Sequence, residues 1–278
     1  MKKHLSTIIL VLLLLTGICL MLYPSVSDYW NSLHQSRAIA TYVKDVGELD
    51  ETQYEEMWRA AEDYNRSLAE TGILWKLTEE EKLEYENILD VTGTGIMGYV
   101  EIPKIRISLP IYHGTDETVL QIAIGHLEGS SLPVGGAGSH CIISGHRGLP
   151  SAKLFTDLDE LEVGDRFQMH ILNDTLAYEV DQIRIVEPQD LNDLSIVKGK
   201  DYCTLVTCTP YGVNSHRLLV RGHRVETETG NVRIPSDATV MDPLLVAPLV
   251  AAPILVILLI WLLVSTAGRK KRKGDERK

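Results

Sequence analysis

The stretch that decides the fold is YCTLVTCTPYGVNSHRLLVRGHRV, residues 202–225. Its first part is a run of β-branched and apolar residues that ends at Cys208, and its last part is a second such run that begins at Arg217. Between the two runs, TPYGVNSH carries the Pro, Gly and Asn residues that are typical of turns. Two strands joined by a short turn form a hairpin, so the pattern predicts that Cys208 and Arg217 lie at the same end of it.

Similar short runs upstream predict that this whole part of the chain is mainly β. From Gly98 to about Val225 the periodicity is that of strands, with turn signals such as Gly-Gly at 135–136 and one brief helical patch near 151–161. About 130 residues are enough for one hydrophobic core. A closed or nearly closed β-barrel is predicted from seven runs: GYVEIPKI, ISLPIYH, HCIISGH, RFQMHIL, LAYEVDQIRIV, CTLVTC and RLLVRGHRV.

The segment before these strands has the periodicity of helices up to about Leu89. Its central part, DETQYEEMWRAAEDYNRSLAE, opens on a capping box formed by Asp50 and Gln53. Apolar side chains recur there every three or four residues, at Tyr54, Met57, Trp58 and Ala61. A stripe of this kind indicates packing against the rest of the protein more often than a binding face.

Two apolar runs flank this middle part of the chain. Residues 5–23 follow the basic start MKKH, and residues 244–264 precede the cluster RKKRK. Each run is long enough to cross the hydrocarbon core as a helix, and Lys and Arg clusters beside apolar spans stay on the cytoplasmic side. The pattern predicts a two-pass protein of the cell membrane, with both ends inside and the middle part outside.

The first apolar run has a second interpretation, a cleaved signal peptide, because both kinds of segment combine basic residues with an apolar stretch. The run is longer than an ordinary signal core, and the SVS at 25–27 is a poor cleavage site. We therefore favour an uncleaved anchor. The predicted organisation is a cytoplasmic start (1–4), a membrane helix (5–23), an extracellular helical extension (24–97), a barrel (98–226), a linker (227–243), a membrane helix (244–264) and a basic cytoplasmic tail (265–278).

Charge is distributed unevenly between these parts. The two terminal segments, 1–4 and 265–278, hold nine of the 27 Lys and Arg residues and two of the 38 Asp and Glu residues. That leaves 18 basic against 36 acidic residues in between. The exported part therefore lacks the basic face that nucleic-acid binding requires, whereas a substrate that presents lysines would be attracted to it.

The cysteines are few and show no pairing pattern. Cys19 lies in the first apolar run, which leaves Cys141, Cys203 and Cys208 outside, an odd number with at least one free thiol. None has the spacing of a zinc site. Cys203 lies five residues before Cys208, so in one extended strand their side chains point to opposite faces.

A second chemical group lies 62 residues before Cys208. The run CIISGHRGLP leaves a strand and enters a Gly-Pro-rich loop with His146 at the exit, so His146, Cys208 and Arg217 can share one rim of the barrel. A thiol nucleophile, an imidazole that moves protons and a permanently charged guanidinium suit acyl transfer through a thioester. Taken alone, however, a free cysteine that ends an apolar strand is more often a packed core thiol.

The amino-acid sequence of these segments resembles that of the sortases, the surface transpeptidases of Gram-positive bacteria. The resemblance rests on SGHRGLP and TLVTCTPYG(x)NSHRLLVRGHR, covers roughly residues 98–225, and includes GYVEIPKI, LPIYHGT, GHLEGSSLPVGG and LFTDLDELEVGD. It is nearest to class C, the pilin-polymerising sortases, which have an N-terminal helical extension and a C-terminal membrane span. The resemblance implies an eight-stranded β-barrel, catalytic His146, nucleophilic Cys208 and catalytic Arg217, with no metal or organic cofactor.

Other residues of the same types compete for two of these roles. The alternatives to His146 are ordinary histidines of the same domain: His140, His216 and His223. The alternatives to Arg217 continue its strand and are typical of a solvated face: Arg221 and Arg224. Cys141 and Cys203 are expected to be core thiols. The loop match favours His146, and the hairpin match favours Arg217.

The function that the resemblance implies is cleavage of an LPXTG-like sorting signal between Thr and Gly. The acyl group would then be joined to a lysine of a neighbouring pilin, with pilin subunits as partners. A housekeeping sortase, which joins proteins to a peptidoglycan amine, would use the same three residues. A non-enzymatic adhesin or signalling ectodomain that has kept the barrel is the remaining alternative.

Many class C enzymes cover the thiol with a lid that carries an Asp-Pro-aromatic motif. The corresponding region here, about residues 70–85, reads ETGILWKLTEEEKLEY. Ile73 and Leu74 stand where Asp-Pro is expected, and Trp75 supplies the aromatic ring. We expect Trp75 to shield Cys208 through apolar contact; simple packing between helix and barrel is the alternative.

Overall fold

The computed structural model of the chain describes residues 2–227, with side chains from Ile9 onward. The predicted second membrane helix, 244–264, and the basic tail, 265–278, lie outside the described residues, as does nearly all of the predicted linker. The described residues divide into two compact units, one that ends at Asp28 and one that begins at Tyr29.

The first of these units consists of the beginning of helix α1, Lys2–Gly47. The predicted membrane helix 5–23 falls within it, and apolar side chains such as Leu12, Leu13 and Leu20 are exposed along it. Within residues 2–227, this is the one helix that is long and apolar enough to cross a membrane, from Ile9 to Gly47.

Three helical pieces precede the barrel in the second unit: the end of α1, helix α2 (Glu51–Thr71) and helix α3 (Glu79–Asn87). The capping box of Asp50 and Gln53 is confirmed at the start of α2. The apolar stripe of α2 packs against the core, as its spacing indicates. The buried Asn65 joins α2 to the barrel, because its side chain donates to the carbonyls of Leu132 and Gly135 and accepts from the Leu132 N–H.

Eight strands form a closed barrel in the order β1-β2-β3-β4-β7-β8-β6-β5, which confirms the fold that the resemblance implies. A short helix, α4 (Glu117–Leu120), lies between β2 and β3. The strands are β1 (Ile96–Ile102), β2 (Ile107–His113), β3 (Ile124–His126), β4 (Ser139–Ser144), β5 (Arg166–Ile171), β6 (Asp174–Val186), β7 (Asp201–Thr209) and β8 (His216–Val225).

The barrel interior is filled by large apolar side chains from facing strands. Phe167 of β5 stacks on Tyr178 of β6 with ring centroids 5.5 Å apart, and both side chains are fully buried. Gly222 of β8 makes room for this pair, since a Cβ atom there would lie 2.7 Å from the Phe167 ring. This packing fixes β6 and β8 side by side, and β8 in turn pairs with β7.

Candidate active site

Cys208 lies at the end of strand β7 and faces out of the barrel. Along β7, Cys203 and Leu205 are buried in the core, whereas Val206 and Cys208 are only partly buried. The opposite orientations of Cys203 and Cys208 confirm the expectation from their spacing. Cys141 is buried too. Of the three barrel cysteines, Cys208 is therefore the one that a substrate can reach.

His146 reaches the same level through the parallel pairing of β4 with β7. The two strands are in register from Ser139 opposite Asp201 to Ser144 opposite Val206. The pairing continues past the end of β4, because the Gly145 N–H donates to the Val206 carbonyl at 3.0 Å. Carried forward by the same count, the register brings His146 beside Cys208.

Arg217 reaches Cys208 from the other side of β7. Strands β7 and β8 are antiparallel, and Cys208 is the register partner of Arg217. Register partners project to the same face of a sheet, so the guanidinium and the thiol share the outer face. The Arg217 guanidinium donates to the carbonyls of Asn214 and His216 at 3.4 and 3.1 Å, and no carboxylate within residues 2–227 pairs with it.

The His146 imidazole is partly buried, with 27% of the side-chain surface exposed. Its Nε2 atom is buried and has no hydrogen-bond partner within the described part of the chain. The nearest acid is Glu117 of α4, whose Oε2 lies 3.8 Å from that nitrogen. Gln121 donates to the other carboxylate oxygen of Glu117. A protonated imidazole would therefore find a carboxylate beside it after a small rotation of the exposed Glu117 side chain.

The competing histidines are engaged elsewhere. His140 is buried between the Ser195 carbonyl and the Thr204 hydroxyl, and burial lowers its pKa to about 4. His216 lies 3.3 Å from Glu187 and, as the neighbour of Arg217 on β8, points to the opposite face. His223 is the register partner of Tyr202. Tyr202 lies six residues before Cys208, so His223 is roughly 20 Å from Cys208 along the strand.

The competing arginines are also occupied. Arg221 binds Asp181 through two nitrogen atoms, at 2.9 and 3.1 Å, and its guanidinium lies 4.2 Å from the centre of the Tyr202 ring. Arg224 lies over the Tyr178 ring at 5.7 Å. Arg217 is therefore the β8 arginine that is both level with Cys208 and unpaired with an acid among the described residues.

The structure adds a residue that the sequence analysis quoted but did not single out. Arg147 follows His146 directly and is largely buried; it donates to the Thr209 hydroxyl at 3.3 Å and pairs with Asp159 at 2.5 Å. Thr209 in turn follows Cys208 directly. The signal that could have identified Arg147 is its charge at the start of an otherwise apolar and Gly-rich loop.

The predicted lid region, about residues 70–85, covers the end of α2, the connection between α2 and α3, and most of α3. Trp75 is about half exposed, at 49% of its surface. Two residues before it, Ile73 packs against an outer apolar cluster, which we define as Ile142, Val186, Leu194 and Leu219. The backbone of the segment is attached as well, since the Leu74 N–H donates to the Gly129 carbonyl at 3.0 Å. Val206, which precedes Cys208 on the outer face of β7, packs against the same cluster.

Comparison with known proteins agrees with this architecture. The sortase domain family matches residues 100–225. Sortase C1 from Streptococcus agalactiae is 59% identical, with 69% of this chain and 100% of that chain covered and a TM-score of 0.68. Sortase C from Streptococcus pneumoniae is 46% identical, with 69% and 97% covered and a TM-score of 0.61.

Two more distant relatives match a shorter part of the chain. Sortase D of Bacillus subtilis is 32% identical over 131 residues, which make up 46% of this chain and 63% of that protein. Sortase A of Streptococcus agalactiae is 29% identical over 117 residues, 41% of this chain and 47% of that protein. The chain thus spans less than two thirds of these two relatives. It belongs to the sortase family.

Proposed function

We propose that this protein is a cysteine transpeptidase of the pilin-polymerising kind, with Cys208 as nucleophile, His146 as acid and base, and Arg217 as fixed cation. The observation that carries the proposal is the strand register around β7. Parallel pairing with β4 brings His146 to the level of Cys208, and antiparallel pairing with β8 brings Arg217 there. Thiol, imidazole and guanidinium thus meet at one end of the barrel.

The first half of the reaction forms a thioester. The Cys208 thiol gives its proton to His146 and its sulfur attacks the carbonyl carbon of the Thr-Gly bond of an LPXTG-like signal, and the carbon–nitrogen bond breaks. His146 gives a proton to the departing glycine amine. Arg217 is suited to hold the negative oxygen of the intermediate or the substrate backbone, because among the described residues its guanidinium contacts backbone carbonyls and no acid.

The second half transfers the acyl group to an amine. A lysine Nζ of a neighbouring pilin loses a proton to His146 and attacks the thioester, and Cys208 leaves as the thiol. The product is an isopeptide bond between two pilin subunits. The acidic balance of the exported part, 36 acidic against 18 basic residues, favours the approach of such a lysine.

The pilin acceptor is supported by the kind of relative that the chain is similar to. A second sortase C1 structure, 42% identical to this chain, is described as that of GBS pilus island 1. The Streptococcus pneumoniae sortase C is described in connection with pilin substrate specificity. A housekeeping sortase would share the three residues and differ in the acceptor. The acceptor therefore has to be tested directly.

The test is to incubate the full-length chain in detergent with a purified pilin that carries an LPXTG-type signal and to analyse the products on a denaturing gel. We expect a ladder of covalent pilin oligomers that is absent with Cys208→Ala. Release of the signal without a ladder, together with transfer to a peptidoglycan-type amine, would identify an anchoring enzyme instead. No cleavage and no labelling of Cys208 would favour a binding module.

The membrane arrangement is part of the same proposal. Helix α1 is apolar over the predicted span 5–23, and residues 244–264 have the composition of a second span before RKKRK. We infer two spans with the barrel outside the cell. Single cysteines introduced at 232 and at 274 in a Cys19→Ser, Cys208→Ala background test this with a membrane-impermeant thiol reagent on intact cells: only the first should react.

A further inference from the structure

The loop that carries His146 is closed by contacts within itself. The Phe155 N–H donates to the His146 carbonyl at 3.2 Å, and the Gly148 N–H donates to the Thr156 hydroxyl at 3.2 Å. Each of these bonds joins one part of the loop to another. They give the loop its shape, but they do not fix its distance from Cys208.

Arg147 adds a side-chain connection between the loop and the strand of Cys208, beyond the backbone and hydroxyl bonds that join Gly145 to Val206 and Thr207. Its Nη1 donates to the Thr209 hydroxyl at 3.3 Å, and its Nη2 pairs with Asp159 at 2.5 Å. Arg147 directly follows His146, and Thr209 directly follows Cys208. The guanidinium therefore links the two residues that stand next to the proposed base and the proposed nucleophile.

A second contact joins the same two segments. Gly148 lies against the ring of Tyr211, so closely that a Cβ atom at Gly148 would be 3.0 Å from the ring. Its φ angle of +77° is one that glycine adopts without strain. The loop thus passes under the turn that follows Cys208, which leaves the Arg147 side chain shielded, with 10% of its surface exposed.

The charge of Arg147 is not available to a substrate in the way that the charge of Arg217 is. Asp159 neutralises Arg147, and both terminal nitrogens of its guanidinium have partners in the protein. Arg217, in contrast, contacts backbone carbonyls only, among the residues described. Arg147 is consequently suited to hold two segments together and poorly suited to bind an oxyanion.

We propose that Arg147 is a positioning residue, which sets the separation of the His146 imidazole and the Cys208 thiol by bridging Thr209 and Asp159. This inference rests on the proposed function. Because proton transfer and attack need contact geometry, a displacement of about 1 Å lowers the rate by up to about a hundredfold. Loss of the bridge should therefore reduce the rate of acylation and leave substrate binding intact.

The experiment compares Thr209→Val, Thr209→Ser, Asp159→Asn and Arg147→Gln in the full-length chain in detergent, in a Cys19→Ser background because Cys19 is exposed. Cleavage of a quenched fluorescent LPXTG-type peptide gives kcat and KM. Thr209→Val keeps the shape of the side chain and removes the acceptor, so it tests the bridge even if Arg147→Gln fails to fold.

We expect Thr209→Val to lower kcat on the order of tenfold with KM unchanged. Asp159→Asn should lower kcat less, and Thr209→Ser, which keeps the hydroxyl, should retain most of the wild-type kcat. A double variant that combines Thr209→Val with Arg147→Gln should be no slower than Arg147→Gln alone, because both changes break the same bridge. A matched control is Arg221→Gln, which breaks a comparably buried Arg-Asp pair away from Cys208; it should lower the melting temperature without lowering kcat.

A second readout separates this inference from the proposed function. The rate at which iodoacetamide alkylates Cys208 is measured for the same variants, with His146→Ala as the lower reference. Rates for Thr209→Val and Arg147→Gln that fall towards the His146→Ala rate support the inference even if no peptide is cleaved. Rates equal to wild type, or a kcat within twofold of wild type for both variants, would overturn it, as would an alkylation rate that does not depend on His146.

Discussion

The two buried cysteines of the barrel stand in the same relation to the two central residues of the proposed site. Cys141 lies five residues before His146, and Cys203 lies five residues before Cys208. Cys141 and Cys203 are themselves register partners in β4 and β7. Burial raises the pKa of the Cys141 thiol well above its ordinary value, so this thiol stays protonated. These cysteines pack the core, while the same strands carry the chemistry at their ends.

The first prediction separates these two roles by substitution. Cys208→Ala should abolish peptide cleavage and leave the melting temperature nearly unchanged, because Cys208 lies on the outer face. Cys141→Ser and Cys203→Ser should retain activity but lose about 1–3 kcal/mol of stability, since each buries a hydroxyl among apolar atoms. Peptide cleavage and thermal unfolding measure the two effects. An active Cys208→Ala enzyme would refute the mechanism.

The second prediction concerns the guanidinium of Arg217. A lysine keeps the charge but presents a single ammonium group instead of a planar fork with several donors. We therefore expect Arg217→Lys to lower kcat/KM by one to two orders of magnitude, comparable to the loss of an oxyanion donor. Steady-state cleavage of the sorting peptide is the measurement. If the lysine variant cleaves the peptide at the wild-type rate, the positive charge of Arg217 is sufficient and its planar fork of donors is not required.

At the scale of elements, the connection between α2 and α3 packs on the barrel through Ile73, which stands where the lid motif of many class C sortases has an acid. Ile73 packs on the outer apolar cluster, and Trp75 remains half exposed. Arg217 has no acidic partner among residues 2–227 that could act as a charged anchor. The proposal that this segment shields Cys208 therefore depends on apolar contact, which is weak for one partly buried side chain.

The third prediction tests this shielding. Ile73→Ala removes roughly 1 kcal/mol of apolar contact, which would raise the open population about fivefold and speed alkylation of Cys208 by the same factor. Trp75→Ala should speed it as well if the ring lies over the thiol, and Trp75→Asp serves as the comparison that adds charge. If neither alanine variant reacts faster than wild type, the segment is packing between helix and barrel and not a lid.

The secondary-structure elements also show which part of the fold could be predicted from the sequence and which part could not. The seven predicted runs correspond to seven of the eight strands, because each is long enough to show alternation. Strand β3, Ile124–His126, has three residues and shows no period, so only its pairing with β2 and β4 reveals it. The contact between Arg147 and Thr209 joins residues 62 positions apart, and no local pattern encodes such a contact.

At the scale of the whole molecule, the site depends on pairings between distant parts of the chain. The hairpin of β7 and β8 follows from one continuous stretch, and its register agrees with the sequence. The parallel pairing of β4 with β7 brings together segments about 60 residues apart, and from the sequence only a shared rim for His146 and Cys208 was predicted, not this pairing. The roles of Cys208, His146, Arg217 and Trp75 remain predictions that the variants above test.

Two buried histidines couple the stability of the whole barrel to pH. His126 accepts or donates at both ring nitrogens, to the Tyr85 hydroxyl at 2.9 Å and the Ser131 carbonyl at 2.8 Å, and burial lowers its pKa to about 3. His140, between Ser195 and Thr204, has its pKa lowered to about 4 by the same cause. Burial keeps both imidazoles neutral, and because a carbonyl oxygen only accepts, the ring nitrogen that faces the carbonyl carries the hydrogen in each.

The fourth prediction follows from the difference in histidine pKa between the folded and the unfolded chain. Below about pH 6.5 the unfolded chain binds a proton at each of these histidines and the folded chain does not, so the free energy of unfolding falls as the pH falls from 6.5 towards 4. Each histidine contributes a slope of at most about 1.4 kcal/mol per pH unit. Urea unfolding of residues 29–227 between pH 7 and 5 should show this slope, reduced in His126→Gln and His140→Gln and unchanged in the exposed control His216→Gln. An equal slope in all four proteins would mean that carboxylates, and not the buried histidines, govern the loss of stability in acid.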